Sequence, residues 1–223
     1  MNISDNKWNT PYDNSKDYKW ISTSQLTLIL NNISVPKSAR ALDVGCGTGQ
    51  LCRDLVHRGM SVKGIDISST AITQARRSTN FPVSEIEFVI CDIENDKIDF
   101  GKFDLVFCKY VLAFIANKSA FLKNISSLKT IDGTFIVVSP DIETLPDLKK
   151  NIALDHQSTI DLLSEHFDDV SFDKVDPAVL ETELHKLEGV HEVVASREES
   201  AVYLKITKAF DTSAARALLA KYA

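Results

Sequence analysis

The sequence predicts an α/β protein built on one mostly parallel, doubly wound sheet. Between Ala39 and Pro140, short apolar runs alternate with amphipathic stretches. This alternation is typical of right-handed β-α-β crossovers. The apolar runs are hydrophobic almost throughout, as strands of a sheet that is covered on both faces require. Three glycines at alternate positions follow the first run, and they indicate a special turn between a strand and a helix.

The elements between Ala39 and Pro140 follow from hydrophobic spacing and from turn residues. Apolar runs predict five strands, at residues 40–45, 60–67, 86–92, 103–109 and 133–140. Apolar residues that share a helical face predict helices at residues 48–59, 68–80 and 117–131, the last followed by a turn at Asp132–Gly133.

Beyond Pro140 the alternation is less regular. A helix is expected at residues 156–167, and two further strands are expected at 169–176 and 200–208. The segment between these strands is longer than a hairpin loop. Residues 177–199 are therefore expected to form an insertion, consisting of a short helix and a charged loop. Residues 211–223 are expected to form a helical tail.

The composition of the chain argues against binding of nucleic acid, insertion into a membrane and binding of zinc. The chain has 223 residues and a net charge of −6, with no run of Lys or Arg longer than two. Nucleic acid is therefore an unlikely partner, because phosphate binding needs clustered cations. No apolar run approaches the ~18 residues that span a bilayer, and the polar N-terminus lacks the apolar region of a signal peptide. The four cysteines have no zinc-like spacing, so we expect free thiols in the cytoplasm.

The glycine turn points to a ligand without phosphate. Gly45, Gly47 and Gly49 let a ligand approach the backbone, but the dinucleotide fingerprint requires a glycine where this chain has Gln50 or Cys52. The acid that precedes the turn, Asp43, would repel a pyrophosphate. It would instead favour the sulfonium and ammonium groups of S-adenosylmethionine. The alternative is that Asp43 only pairs with a loop amide.

Acids also end the second and third strands. Asp66 can accept hydrogen bonds from both ribose hydroxyls, and Asp92 can accept from an adenine amino group. Ile67 and Ile93 can enclose the adenine ring between them. These positions are carboxyl ends of parallel strands, where α/β sheets bind ligands. The alternatives are a helix N-cap for Asp66 and a solvated strand end for Asp92.

The runs "ALDVGCGTGQL", "GIDIS", "VICDI", "FDLVFCKYVLAFI" and "IDGTFIVVSP" together resemble the class I S-adenosylmethionine-dependent methyltransferases. The resemblance implies a Rossmann-like sheet of seven strands with the last strand antiparallel, supplied by the two late strands. It implies three regions: an N-terminal arm or lid with a first helix (1–38), a cofactor-binding domain (39–210) that contains the 177–199 insertion, and the tail (211–223). It implies that S-adenosylmethionine is bound by Asp43, Gly45, Cys46, Gly47, Gly49, Asp66, Ile67, Asp92, Ile93 and Lys109.

The segment after the fourth strand normally lines the methyl-transfer centre in this family. It lacks the Pro-Pro motif of DNA amine methyltransferases, and Cys108 does not follow proline as the nucleophile of cytosine enzymes does. Lys109 stands where magnesium-dependent relatives have an acid, so no metal site is expected. Candidate catalytic residues are Lys109, Tyr110 and His156. Their structural alternatives are a solvated lysine, simple packing and a helix cap.

The first 23 residues carry large aromatic side chains but no apolar repeat of their own. Such a segment gains order by docking its rings on a preformed surface. It forms either a structural anchor or a lid over the cofactor and acceptor. The candidate lid and substrate residues, which include one from the segment after the fourth strand, are Trp8, Tyr12, Tyr18, Trp20 and Phe114.

The favoured function is methyl transfer to oxygen or nitrogen of a small molecule in the cytoplasm. Methylation of a macromolecule such as a protein or tRNA is the first alternative. A methyltransferase-like partner subunit that binds cofactor without catalysis is the second. The sequence does not name the acceptor, decide between oxygen and nitrogen, or give the oligomeric state.

Overall fold

The computed structural model divides the chain into two units, one of residues 1–20 and 35–170 and the other of residues 21–34 and 171–223. Six helices occur in the described residues: α1 (Ile3–Asp13), α2 (Thr23–Asn31), α3 (Gln50–Val56), α4 (Ser69–Arg77), α5 (Lys118–Leu128) and α6 (His156–Ser164). Two 3-10 helices in the same ranges span Leu112–Phe114 and Asp147–Ile152. The structure describes residues 3–14, 21, 23–31, 33–139, 147–152, 155–170, 193–198 and 201–206.

The first unit contains a five-stranded sheet in which every strand pair is parallel. Its strand order is β3-β2-β1-β4-β5. The chain starts at the centre, moves to one edge and returns to the other, so the order reverses between β1 and β4. The predicted parallel α/β fold is confirmed. The strands are β1 (Arg40–Val44), β2 (Ser61–Asp66), β3 (Ile86–Ile90), β4 (Phe103–Lys109) and β5 (Lys129–Val138).

The two faces of the sheet bury different partners. Leu42 and Val44 of β1 belong to the hydrophobic cluster that contains Phe121 of α5. Side chains alternate along a strand, so Asp43 points to the opposite face. There its carboxylate accepts a hydrogen bond from the thiol of Cys52 on α3. Helices therefore cover both faces, which explains why the strands are apolar almost throughout.

The connection from α5 to β5 differs from the prediction. The expected turn at Asp132–Gly133 lies inside β5, which already begins at Lys129. Phe103 of β4 pairs with Lys129 whereas Leu105 pairs with Thr134, so β5 bulges between these two positions. Two β-branched residues at the start of this stretch favour extended backbone over a further helical turn.

The N-terminal arm contains a regular helix, α1, although its sequence has no apolar repeat and Pro11 lies within it. Contacts with α4 compensate for this weak propensity. The Gln74 side chain donates to the carbonyl of Tyr12 at 2.9 Å. At the end of the helix, the Thr70 hydroxyl donates to the carboxylate of Asp13 at 2.9 Å. Tertiary packing rather than local pattern therefore stabilises α1.

The second unit contains α2 and an antiparallel hairpin of β6 (Val193–Glu198) and β7 (Ala201–Ile206). β7 agrees with the predicted strand, but β6 replaces most of the predicted charged loop. A two-residue connection to β7 lets this stretch pair as a tight hairpin. The predicted strand at 169–176 lies mostly outside the described residues, and the 177–189 helix and the 211–223 tail lie wholly outside them. A seven-stranded sheet with an antiparallel last strand stays a prediction.

Among the helices in the described ranges, none is both long and apolar enough to cross a bilayer.

The inward face of α5 gives a test of the fold. Phe121 is 1% exposed, and its ring contacts that of Phe135 with centroids 6.5 Å apart. We expect Phe121→Ala to lower the free energy of unfolding by about 3–5 kcal/mol, because it leaves a cavity in the core. Urea unfolding measures the change.

Lys123→Ala on the exposed side of the same helix is the matched control. It should change the free energy of unfolding by less than about 0.5 kcal/mol. Equal losses for the two variants would contradict the burial of this helix face.

Candidate functional site

One cavity lies at the carboxyl ends of the central strands, beside the point where the strand order reverses. Parallel α/β sheets bind ligands at this position. Its walls come from α1, the glycine turn, the ends of β2 and β3, and the segment after β4. The lining residues are Trp8, Tyr12, Val44, Gly45, Cys46, Gly47, Thr48, Gln50, Leu51, Ile65, Asp66, Ile67, Cys91, Asp92, Ile93, Glu94, Lys109, Tyr110, Val111, Phe114 and Ile115.

The turn that follows β1 is folded against the end of β2. The N–H groups of Gly45 and Cys46 both donate to the carbonyl of Ile65, at 2.8 and 2.9 Å. Gly45 has a φ of +71°, and a Cβ at this position would lie 2.2 Å from Cγ2 of Val111. Only glycine combines this backbone conformation with such close packing. The turn therefore offers bare backbone to the cavity.

The third glycine of the turn has a different role. Gly49 caps the N-terminus of α3 with a φ of +78°, and a Cβ there would lie 2.5 Å from Cζ of Phe88. Gly49 packs the turn against the sheet and does not line the cavity. A direct contact between Gly49 and a ligand therefore stays a prediction.

Asp66 joins the glycine turn to the start of α4. Its Oδ2 accepts from the N–H of Gly47 at 2.9 Å, and its Oδ1 accepts from the N–H of Ser68 at 2.9 Å. The N-cap of α4 is Ser68, whose hydroxyl accepts from the N–H of Ala71 at 3.1 Å. Asp66 is therefore not the helix cap, and its carboxylate is fixed in the cavity wall.

Asp92 also lines the cavity while it orders its own turn. Its Oδ1 accepts from the N–H of Glu94 at 3.0 Å, and its Oδ2 accepts from the side-chain amide of Asn95 at 2.8 Å. Ile67 and Ile93 lie in the same wall. The predicted apolar pair and the predicted acid thus face one cavity.

Asp43 lies behind the cavity wall and is 1% exposed. Its Oδ2 accepts from the thiol of Cys52 at 3.3 Å, while its Oδ1 has no hydrogen-bond partner within the described part of the chain. Burial raises the pKa of Asp43 from 3.8 to about 6, although the nearby charge of Lys109 and the Cys52 hydrogen bond act in the opposite direction. The negative charge near the glycine turn is therefore held at a cost in free energy.

The four cysteines are buried, free thiols. Burial raises the pKa of Cys46 to about 11, that of Cys91 to about 11 and that of Cys108 to about 12. Burial also raises the pKa of Cys52 well above its usual value. Thiols of this kind stay protonated and are poor nucleophiles. Cys108 is therefore not equipped for covalent catalysis.

Lys109 is the last residue of β4, Tyr110 follows it directly, and both line the cavity. The Nζ of Lys109 lies 5.6 Å from the centroid of the Tyr110 ring. Tyr110 has a φ of +57°, and its N–H donates to the carbonyl of Val138 at 2.8 Å. A left-handed backbone is unfavourable for a bulky residue and often marks a functional position. The chemical roles of both residues stay predictions.

Aromatic rings from two segments meet across the cavity. Trp8 of α1 and Phe114 of the 3-10 helix make an edge-to-face contact, with centroids 5.0 Å apart. Tyr12 lies one helical turn after Trp8 and lines the same cavity. The other two aromatic candidates of the arm, Tyr18 and Trp20, lie outside the described residues.

His156 is the first residue of α6, as predicted, but its side chain lies outside the described part of the structure. The cap of α6 is Asp155, whose carboxylate accepts from the N–H of Ser158 at 2.8 Å. A catalytic role for His156 stays a prediction.

Two polar residues near the cavity were missed from the sequence. Glu94 accepts from the N–H groups of Ala116 and Asn117, at 3.0 and 3.1 Å, and so ties the end of β3 to the start of α5. Asn9 of α1 is buried against the start of α4. A sequence pattern could have identified Asn9. Asn9 and Asp13 are four residues apart, as are Trp8 and Tyr12, and this spacing predicts two adjacent faces of one helix.

The lining residues suit a ligand that is cationic or apolar rather than phosphorylated. Three carboxylates, those of Asp66, Asp92 and Glu94, and one ammonium group, that of Lys109, lie among them. Across the described ranges, no group of three or more His, Cys, Asp or Glu side chains is arranged to hold a metal ion.

Comparison with known proteins gives a consistent family. The family described as "Methyltransferase domain" matches residues 36–188. Ubiquinone biosynthesis O-methyltransferase of Coxiella burnetii is 30% identical over 121 residues, which are 54% of this chain and 51% of that protein. The protein 235L of Invertebrate iridescent virus 6 is 30% identical over 141 residues, covering 61% of this chain and 50% of the viral protein. The chain thus spans about half the length of the curated relatives it matches.

Solved structures share the fold. A TehB-like SAM-dependent methyltransferase from Corynebacterium glutamicum matches with a TM-score of 0.52 and 22% identity, over 72% of this chain and 78% of that chain. The plantazolicin methyltransferase BpumL in complex with SAH (S-adenosylhomocysteine) matches with a TM-score of 0.57 and 17% identity, over 74% and 70% of the two chains. At these identities the likeness extends to the fold alone.

The buried carboxyl of Asp43 makes stability depend on pH. Its pKa is 3.8 when unperturbed and about 6 in the folded protein, so the folded state binds more protons between these values. Its contribution to stability therefore falls as pH rises through this window. Asp43→Asn removes the charge and keeps the shape. From pH 4 to pH 6, we expect the free energy of unfolding of this variant to rise relative to the parent by about 2 kcal/mol.

Urea unfolding at several pH values measures this difference. Asp99→Asn, at an exposed position outside the cavity, is the matched control for the loss of one carboxylate. A constant difference for Asp43→Asn over the same range would show that the folded protein does not raise the pKa of Asp43.

Proposed function

The chain belongs to the class I S-adenosylmethionine-dependent methyltransferases, and from this membership we propose that it transfers a methyl group to oxygen or nitrogen of a small molecule. The observation that carries the proposal is the Asp66 carboxylate, held in the cavity wall by the N–H groups of Gly47 and Ser68. It stands beside a turn of bare backbone and close to a buried acid, an arrangement suited to a ribose and a cationic centre rather than to a phosphate.

The residues around the cavity fit S-adenosylmethionine by their chemistry. A carboxylate can accept about four hydrogen bonds, so Asp66 can remain fixed by the backbone and also accept from a ribose diol. Asp92 is proposed to accept from the adenine amino group, and Ile67 and Ile93 to contact its ring. The glycine turn, including Gly45, Cys46 and Gly47, would lie along the methionine part, with Gly49 supporting it from behind.

Asp43 is proposed to act at a distance rather than by contact. It lies behind the wall and one of its oxygens lacks a hydrogen-bond partner among the described residues, so its charge is poorly compensated by protein groups. A cationic ligand in the cavity would improve that balance. The positive charge of Lys109 already compensates part of this negative charge, because it lowers the pKa of Asp43.

The acceptor is proposed to lie between the end of β4 and α1. When bound, S-adenosylmethionine supplies a methyl group activated by a sulfonium. The protein has to hold the acceptor atom in line with that group and exclude water. Trp8 and Phe114, with Tyr12 beside them, provide the aromatic walls. Lys109 can orient an acidic acceptor, and the hydroxyl of Tyr110 can hydrogen-bond to it. His156 remains a second candidate for a base.

A small molecule is favoured over a macromolecule by the contact of Trp8 with Phe114, which places two rings together at the cavity. The relatives named ubiquinone biosynthesis O-methyltransferase support the same choice and favour oxygen. Methylation of a protein or tRNA is the main alternative. The second alternative is a subunit that binds the cofactor without catalysis. The Asp66 carboxylate in the cavity wall counts against this alternative, because a disused pocket has little reason to keep it.

The wider organisation is also proposed. We propose a cofactor domain of residues 39–210, of which the family match over residues 36–188 supports the part up to residue 188. The arm of residues 1–38 contributes α1 to the cavity. A cytoplasmic location is supported by four free, buried thiols, which suit a reducing compartment.

The purified chain tests the proposal directly. Calorimetry should show binding of S-adenosylmethionine and S-adenosylhomocysteine and no binding of NAD. With labelled S-adenosylmethionine, the label should enter the small-molecule fraction of a cell extract rather than its RNA or protein fraction. Label in the RNA or protein fraction would overturn the small-molecule acceptor and favour a macromolecular one. Tight NAD binding without S-adenosylhomocysteine binding would overturn the whole proposal.

Asp66→Ala gives the sharpest single substitution. A hydrogen bond to a charged group contributes about 1.5–3 kcal/mol, so loss of the ribose contacts should weaken S-adenosylhomocysteine binding by roughly tenfold to a hundredfold. Calorimetric titration measures the dissociation constant.

Asp99→Ala removes the same charge at an exposed position away from the cavity and should bind within about twofold of the parent protein. Circular dichroism checks that Asp66→Ala remains folded. An affinity unchanged in folded Asp66→Ala would mean that Asp66 serves only to join the two turns.

A further inference from the structure

Asn9 of α1 is a polar side chain that is 8% exposed and that holds the start of α4. Its Oδ1 accepts from the hydroxyl of Ser68 at 2.6 Å and from the N–H of Thr70 at 3.2 Å. Its Nδ2 donates to the hydroxyl of Ser69 at 3.3 Å. One amide from the N-terminal helix thus contacts three consecutive residues where α4 begins.

These hydrogen bonds continue to the cavity. Ser68, held by Asn9 through its hydroxyl, donates its backbone N–H to Oδ1 of Asp66. Oδ2 of Asp66 in turn accepts from the N–H of Gly47 in the glycine turn. The resulting chain, which we call the Asn9 relay, consists of Asn9, Ser68, Asp66 and Gly47.

The same turn of α1 also forms part of the cavity wall. Trp8, the neighbour of Asn9, contacts Phe114 at 5.0 Å between centroids. Docking of this turn therefore does two things together: it brings an aromatic ring to the cavity, and it supplies the acceptor for the Ser68 hydroxyl.

We propose that Asn9 is a positioning residue that sets the orientation of the Asp66 carboxylate and so couples docking of α1 to cofactor affinity. This inference rests on the proposed function, because the orientation of Asp66 affects affinity only if the cavity takes S-adenosylmethionine. Without Asn9, the buried Ser68 hydroxyl loses its acceptor and the turn that carries the Ser68 N–H is less constrained. Asp66 then spends less time in the orientation that accepts from a diol.

The matched control is Asp13, one helical turn after Asn9. Asp13 also ties α1 to α4, through an exposed hydrogen bond from the Thr70 hydroxyl at 2.9 Å, but it has no place in the Asn9 relay. Asn9→Ala tests the relay, Asp13→Ala tests docking alone, and Asn9→Asp keeps an oxygen that can accept from Ser68 and Thr70.

Calorimetric titration of the full chain with S-adenosylhomocysteine separates these effects. We expect Asn9→Ala to bind roughly threefold to tenfold more weakly than the parent. We expect Asp13→Ala and Asn9→Asp to bind within about twofold of it. Equal losses in Asn9→Ala and Asp13→Ala would overturn the inference in favour of general docking, and so would a failure of Asn9→Asp to restore affinity.

Hydrogen exchange without ligand gives a second, independent readout. In Asn9→Ala, the amides of Ser68 and Gly47 should exchange faster than in Asp13→Ala, because both donate to Asp66. Equal exchange in the two variants would overturn the relay. If the parent fails to bind S-adenosylhomocysteine, the proposed function fails and this inference fails with it. If the parent binds and Asn9→Ala binds equally well, this inference fails alone.

Discussion

The site depends on one interaction, the acceptance of two backbone N–H groups by the carboxylate of Asp66. Gly47 and Ser68 belong to different crossovers, yet both donate to this group at 2.9 Å. A charged acceptor makes stronger hydrogen bonds than a neutral one, so this pair fixes two otherwise independent turns relative to each other. The cavity between them therefore has a preformed wall, and the helix that follows each turn is held at its start.

The carboxylate of Asp43, in contrast to that of Asp66, is buried with incomplete hydrogen bonding among the described residues. Its partners are a thiol and a nearby lysine charge, and burial raises its pKa to about 6. A leucine there would be more stable in an apolar layer, because an incompletely paired buried charge is costly. The chain thus places a destabilising charge next to the glycine turn, and carboxylates with raised pKa values cluster at functional sites. A buried, incompletely paired carboxylate departs from the rules of core packing, and this departure supports the presence of a site here.

Much of this arrangement could be predicted from the sequence, because it depends on periodicity and on strand ends. The five parallel strands and the lining positions of Asp66, Ile67, Asp92 and Ile93 follow from that logic. Three features do not. Helix α1 forms through contacts with α4, β5 begins early through a bulge, and β6 forms through pairing with β7. Each depends on a partner distant in sequence or on backbone geometry, which a pattern of hydrophobic residues does not contain.

Tyr110 carries a consequence for the design of variants. Its φ of +57° costs a non-glycine residue about 1–2 kcal/mol, and a glycine at this position would remove that strain. A chain relieved of this strain and a chain that keeps an aromatic hydroxyl directly after β4 are therefore different molecules. Consensus-style stabilisation that favours glycine in left-handed turns would select the first. A variant that keeps the Tyr110 side chain at the cavity has to recover the lost stability elsewhere in the core.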